Sequence, residues 1–184
     1  MPPHLPLVFA ATLFSAATHA QWQPARPVQI IVPNPPGGGP DFIARLLAPR
    51  LSEAAKQNVV VDNRSSNNGI VGAEAAARGA PDGSSMIIGN SGTHAINASL
   101  YAKIPYDPVK DFAPITMLAT LPNMLIVHPS LNVSSVAELV ALLKANPGRY
   151  SFGSAGNGTS QHISGEMFKI ATGTQMQQIG RAHV

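Results

Sequence analysis

The chain has 184 residues, a formal net charge of +3, 45% hydrophobic and 11% charged residues, and no cysteine. So much apolar material with so little charge excludes a disordered chain and supplies a core for one domain, or for one and a half small ones. The twelve Lys/Arg residues form no basic run, which argues against a nucleic-acid partner, and the lack of cysteine excludes disulfides, thiolate metal sites and cysteine nucleophiles.

In chain order, the first feature is an uncharged apolar run, Leu5 to Ala17, too short to cross a bilayer and followed by Thr18-His19-Ala20. Small residues at Thr18 and Ala20 suit cleavage after Ala20, so residues 1–20 read as a secretory signal peptide, although Met1-Pro2-Pro3-His4 lacks the usual Lys or Arg. A periplasmic location is expected. Val28 to Val32 reads as a strand, and a helix is expected from about Asp41 to Lys56 with Ile43, Leu46, Leu47 and Leu51 on one face. Pro49 falls inside that helix and should kink it. Then come a strand at Val59–Val61, a helix at Val71–Arg78, a strand at Met86–Ile88 and a short helix across Ala95–Tyr101. After a proline-rich stretch, Ile115–Ala119 and Met124–Val127 read as two strands around Pro122. Ser135-Val136-Ala137-Glu138 is a capping box opening a helix to about Ala145, Tyr150–Gly153 is a strand, and Thr159 or Ser160 caps a last helix to about Ile170. This alternation predicts an α/β fold with mostly parallel sheets, and the shift in composition near Thr116–Pro122 suggests a crossing between two lobes.

In an open parallel sheet, ligands sit beyond the carboxyl ends of the strands, where helix N-termini offer free N–H groups suited to a carboxylate. Three such junctions are rich in Gly, Ser, Thr and Asn and supply the candidate ligand-binding residues. They are Pro36, Gly37, Gly38, Gly39 and Asp41; Ser91, Gly92, Thr93 and His94; and Ala155, Gly156, Asn157, Gly158, Thr159 and Ser160. Asp41 reads first as a helix N-cap.

Rival chemistries use the same loops. A nucleotide-binding domain could use Gly37, Gly39 and an acid at Asp62, but Phe42 occupies the third glycine position of G-x-G-x-x-G. A secreted α/β hydrolase could use Ser91 with His94 or Ser160 with His162, but neither serine lies in G-x-S-x-G. His94, His128 and His162 lack metal-ligand spacing.

The run from Arg26 through Pro33-Asn34-Pro35-Pro36-Gly37-Gly38-Gly39-Pro40-Asp41 resembles the opening of the tripartite tricarboxylate transporter substrate-binding family, the Bug-type receptors. Val60-Val61-Asp62-Asn63-Arg64, Ala80-Pro81-Asp82-Gly83, Gly92 to Tyr101, Ile104 to Pro114 and Gly153 to Ser160 carry the same resemblance in the same order. It implies a two-lobed, type II periplasmic-binding-protein-like α/β fold closing on a small organic carboxylate, with no metal or organic cofactor and no catalysis. The implied partner is a membrane permease, and a monomer is expected for the complete protein. On this basis residues 21–118 form lobe 1 without its C-terminal return, and residues 119–178 begin lobe 2. Pro40 replaces the family's usual Thr or Ser, and Ser66-Asn67-Asn68 replaces a glycine-rich turn. Ile179 to Val184 matches the translation of a common sequencing-adapter start, so residues 179–184 are expected to be a non-native tail.

Overall fold

The computed structural model describes residues 22–180, so the expected signal peptide and residues 181–184 lie outside the described residues. The centre of the first unit is β1 (Val28–Val32), flanked in parallel by β2 (Val59–Asn63) on one side and β3 (Ser85–Ile87) on the other. A strand covered on both faces needs apolar residues throughout, and Val28, Ile30, Ile31 and Val32 are all almost wholly buried. Each such side chain contributes about 1.5–3 kcal/mol relative to exposure.

The helix α1 (Gly39–Ala55) covers the face carrying Val28, Ile30 and Val32. Its buried stripe is Asp41, Ala44, Ala48 and Ala55, not the predicted Ile43, Leu46, Leu47 and Leu51. Small alanines let the helix lie close to the sheet, Leu51 packs at the edge of the core, and Leu46 is turned out at 64% exposure. The helix runs on past Pro49 to Ala55. Helix α2 (Ile70–Ala77) packs against β1 and β3, with Ala73 fully buried. A π-type turn at Gly92–Ile96 leads into α3 (Asn97–Leu100).

The second unit contains α4 (Val136–Ala145), β4 (Ser151–Ser154), α5 (Ser160–Thr172) and β5 (Gln177–Gly180), with β4 and β5 paired in parallel. Ser135 caps α4 as expected, accepting the Glu138 N–H at 3.2 Å. Glu138 reaches back one residue further than a standard capping box, to the Ser134 N–H at 2.7 Å. The sequence reading contained no strand at β5, and Ile179 and Gly180, expected to lie in a non-native tail, form its last two positions opposite Gly153 and Ser154.

The strands expected at Ile115–Ala119 and Met124–Val127 do not form. A strand needs a neighbour for its ladder, and among the described residues neither segment is paired with one. Their apolar side chains stay in water: Met117 is 81% exposed, Met124 84% and Ile126 79%. Among the described residues no helix is long and apolar enough to cross a membrane. The architecture is α/β with two parallel sheets, as the sequence predicts.

Candidate functional site

The strand order β2-β1-β3 has a direct consequence for where a ligand can sit. The chain leaves β1 toward β2 on one side and returns as β3 on the other, so the loops after β1 and β3 part and open a crevice at their carboxyl ends. Asparagines span it. Asn90 Nδ2, beyond β3, donates to Asn34 Oδ1 at 2.9 Å, beyond β1. Asn63, closing β2, donates to the Asn34 carbonyl at 3.2 Å and accepts from Arg45 at 3.0 Å.

The first candidate loop lies on one side of this crevice. Gly38 is the N-cap of α1, in extended conformation and without a side-chain cap. Asp41 is therefore not the N-cap it was expected to be; it sits in the first turn, 3% exposed. Its Oδ2 accepts from Arg45 Nε at 3.0 Å and from the Gly37 N–H at 2.8 Å. The Arg45 hydrogen bond and then the Gly37 N–H hold its carboxyl down at about 2. An ionised carboxylate so engaged braces the loop and has no donor to offer an anionic ligand. Pro40 fits the first turn because its missing N–H would have had no intrahelical partner. Pro36, Gly37 and Gly39 are exposed, and Gly38 is half-buried.

The second loop turns its candidate side chains inward. Thr93 is fully buried, and it and Asn90 exchange reciprocal hydrogen bonds between backbone N–H and side-chain oxygen, each 3.1 Å. The Thr93 hydroxyl also meets His94 Nδ1 at 2.8 Å. His94 stacks edge-on against Phe112 at 4.7 Å, and burial lowers its pKa from the usual imidazole range by disfavouring the charged ring. A Cβ on Gly89 would lie 2.7 Å from the His94 ring, which explains a glycine there. Gly92 is buried and Ser91 stays exposed.

The third loop joins β4 to α5. Thr159 is the N-cap, its Oγ1 accepting the His162 N–H at 3.3 Å and donating to the Gly156 carbonyl at 2.8 Å. The Gly158 N–H donates to His162 Nδ1 at 3.2 Å. These bonds leave the first helical N–H groups, those of Ser160 and Gln161, at the open end of α5. Ala155 and Asn157 are exposed, Gly156 and Ser160 half-buried, and Gly158 buried.

The structure brings these loops together through residues the sequence reading did not single out. Asn68 Nδ2 donates to the Gly158 carbonyl at 2.9 Å and to Asn97 Oδ1 at 2.8 Å, tying the third loop to α3 just beyond the second. Leu121 lies so close to Gly39 that a Cβ there would be 2.5 Å from it. Asn123 accepts from the Ser160 hydroxyl at 3.3 Å and donates to Ser164 at 2.8 Å. The segment between the two units thus touches both the first and the third loop. For Asn34, Asn63 and Asn90 the available signal was an asparagine at, or within three residues past, the end of β1, β2 and β3; for Asn68, Leu121 and Asn123 no local signal existed.

Two open clefts lie elsewhere: one of about 190 Å³ between Leu125–Val127 and Val133–Leu139, and one of about 520 Å³ beside Arg45, Pro49 and Val59–Val61. The first borders the N-terminus of α4, where the Ser134 and Glu138 N–H groups are already taken by Glu138 and Ser135, and neither lies beyond the carboxyl end of a strand. Among the described residues no group of three or more His, Asp or Glu could hold a metal ion.

A profile of the tripartite tricarboxylate transporter family receptor matches residues 43–181. The chain belongs to that receptor family. It is 37% identical over 174 residues to Protein BugT of Bordetella pertussis, covering 94% of this chain and 53% of that protein. It is 34% identical to a Pseudomonas protein of the tcbD–tcbE intergenic region, covering 92% of this chain and 51% of that protein. Among solved structures, R. palustris Rpa4515 with adipate superimposes with a TM-score of 0.81 at 40% identity, covering 85% of this chain and 52% of that one. MatC from Rhodopseudomonas palustris with bound malate gives 0.76 at 26% identity, covering 85% and 53%. A further neighbour at 40% identity, TM-score 0.79, is described as a periplasmic transporter. The chain thus spans about half the length of the receptors it matches, and its fold is that of periplasmic binding proteins, as the sequence resemblance implied.

Proposed function

We propose that this tripartite tricarboxylate transporter family receptor captures a small organic carboxylate outside the cytoplasm and delivers it to a membrane permease. The observation that carries the reading is the match to the adipate-bound R. palustris protein at 40% identity and a TM-score of 0.81. The local geometry supports it. The N-termini of α1 and α5 present N–H groups, at Gly39 and at Ser160 and Gln161, from glycine-rich loops joined through Leu121, Asn123 and Asn68. Partial positive charge at two helix ends favours an anion, and flat glycine backbone lets a carboxylate approach closely. The expected signal peptide supports the periplasm as its location, and the proposed receptor works as a monomer without cofactor.

The enzyme alternatives find less support in the same residues. Asp62, which a nucleotide ribose would require, accepts from Gln29 and Arg64, each at 2.7 Å. His162 Nδ1 accepts the Gly158 N–H, so the proton of the neutral ring sits on Nε2, and among the described residues no hydrogen bond joins His94 or His162 to Ser91 or Ser160.

The test is isothermal titration calorimetry with adipate, malate and ATP. It is run on the 184-residue chain and on the chain joined to the part of BugT that lies beyond the match. Saturable binding of a carboxylate but not of ATP is expected in the joined protein. Binding of ATP alone, or no binding of any carboxylate in a broad panel by a folded joined protein, would overturn the proposal.

A further inference from the structure

We infer that Asn68 is a positioning residue that latches the Gly156–Ser160 loop onto the first sheet unit and so sets how far the candidate cleft stands closed. The inference deepens the receptor proposal and rests on it for its biological purpose, but the latch itself is read without ligand.

Asn68 adopts left-handed backbone, φ 52° and ψ 37°, a conformation glycine takes freely and asparagine tolerates better than most residues. The chain thus places a carboxamide on a backbone position that glycine would suit. The NH₂ group has two hydrogens, and both are committed: one to Asn97 Oδ1 at 2.8 Å, the other to the Gly158 carbonyl at 2.9 Å. The two acceptors differ in rigidity. Asn97 is fully buried, returns a bond to the Asn68 carbonyl at 3.2 Å, and lies 3.4 Å from the Tyr106 hydroxyl, which donates to the Thr93 carbonyl at 2.6 Å. That end of the latch is anchored in a satisfied polar network. The other end holds a loop ninety residues further along the chain. Among the described residues this is the one hydrogen bond joining residues 22–114 directly to residues 128–180. Gly158 is shaped to receive it: φ is +77°, and a Cβ would run into Leu100 and lie 2.9 Å from Asn68 Nδ2. The contacts made by Asn123 come from the exposed connecting segment and compete with water.

A net hydrogen bond of this kind changes an open-to-closed ratio about two- to tenfold. The absence of native cysteine allows spin labels at Glu53→Cys on α1 and Lys144→Cys on α4, both exposed, with distances read by pulsed electron resonance on the 184-residue chain. Asn68→Gly keeps the left-handed turn without strain and removes the carboxamide, so a longer-distance population should grow by that factor. Asn68→Asp at neutral pH points a carboxylate at two acceptor oxygens and should open the pair further. Acidification, by restoring a donor hydroxyl, should return it toward the wild-type distribution while leaving Asn68→Gly unchanged. Wild-type distances in both variants, or an Asn68→Asp distribution that does not respond to pH, would overturn the latch. Such a result would leave carboxylate binding untouched, whereas failure of carboxylate binding with the predicted distance changes would overturn only the receptor proposal.

Discussion

Three glycines in the candidate loops make a controlled comparison, because the structure gives each a different reason to be glycine. Gly38 is extended and a Cβ would meet the Pro35 carbonyl at 3.5 Å and Pro40 Cδ at 3.9 Å, both ordinary contacts, so Gly38→Ala should be close to neutral. Gly37 has φ +79° with nothing within 4 Å of a Cβ, so Gly37→Ala should cost only the left-handed backbone, about 1–2 kcal/mol. Gly158 combines φ +77° with a Cβ pressed into Leu100 and 2.9 Å from Asn68 Nδ2. Leu100 is exposed and can swing aside, but displacing the Asn68 carboxamide loses its hydrogen bond, about 0.5–1.5 kcal/mol, which brings Gly158→Ala to about 1.5–3.5 kcal/mol. Urea denaturation followed by far-ultraviolet circular dichroism reads the three in parallel, with unchanged slopes identifying changes in stability alone. The expected order of rising cost is Gly38→Ala, Gly37→Ala, Gly158→Ala. If Gly158→Ala costs no more than Gly37→Ala, the third loop does not pack on Leu100 and Asn68, and the proposed assembly of the site fails.

The remaining expectations are shorter. Asp41 has its carboxyl lowered from 3.8 to about 2, so its contribution to stability is complete above 3.8 and is lost as the pH falls through about 2. Asp41→Asn should flatten that part of the acid-unfolding curve, and an unchanged curve would mean that Asp41 is not held by Arg45 and Gly37. Tyr106→Phe removes the donor to the Thr93 carbonyl in a buried setting and should cost about 1–3 kcal/mol in the same urea assay; a neutral result would show that water replaces the hydroxyl. Ile126→Lys, at a position 79% exposed, should stay within about 0.5 kcal/mol of wild type and lower binding of a hydrophobic dye. A large loss of stability would show that Ile126 belongs to a packed strand after all.

Local signals that carry their own physics were legible. The apolar run of β1 marked a strand, and Ser135 with Glu138 marked the start of α4 because both partners of the cap lie within one turn. Gly156, Gly158 and Thr159 likewise announced a strand-to-helix loop before any partner was known. Features that depend on distant neighbours were not legible. Ile115–Ala119 and Met124–Val127 have strand-like composition, but composition cannot supply the edge that a strand pairs with. Gln177 and Gln178 lack an apolar run, yet β4 offers them such an edge and they join it. On α1 the largest apolar residues looked like the core face, whereas close approach to the sheet selected Ala44 and Ala48. Thr93 and His94 were correctly placed at a strand end, but their side chains turn inward to bonds that sequence spacing does not display. Asn68, Asn97 and Gly158 meet across twenty-nine and ninety positions, beyond the reach of any local pattern.

The central proposal is that backbone N–H groups at the ends of the loops receive a carboxylate. Amide-resolved nuclear magnetic resonance of the ¹⁵N-labelled protein joined to the remaining part of BugT, titrated with adipate and then with malate, tests this most directly. The proposal predicts saturable shifts concentrated at Gly39, Ser160 and Gln161, with smaller changes at Asn68. Shifts centred instead on the cleft lined by Leu125, Val127 and Leu139, or none under saturating ligand, would contradict it.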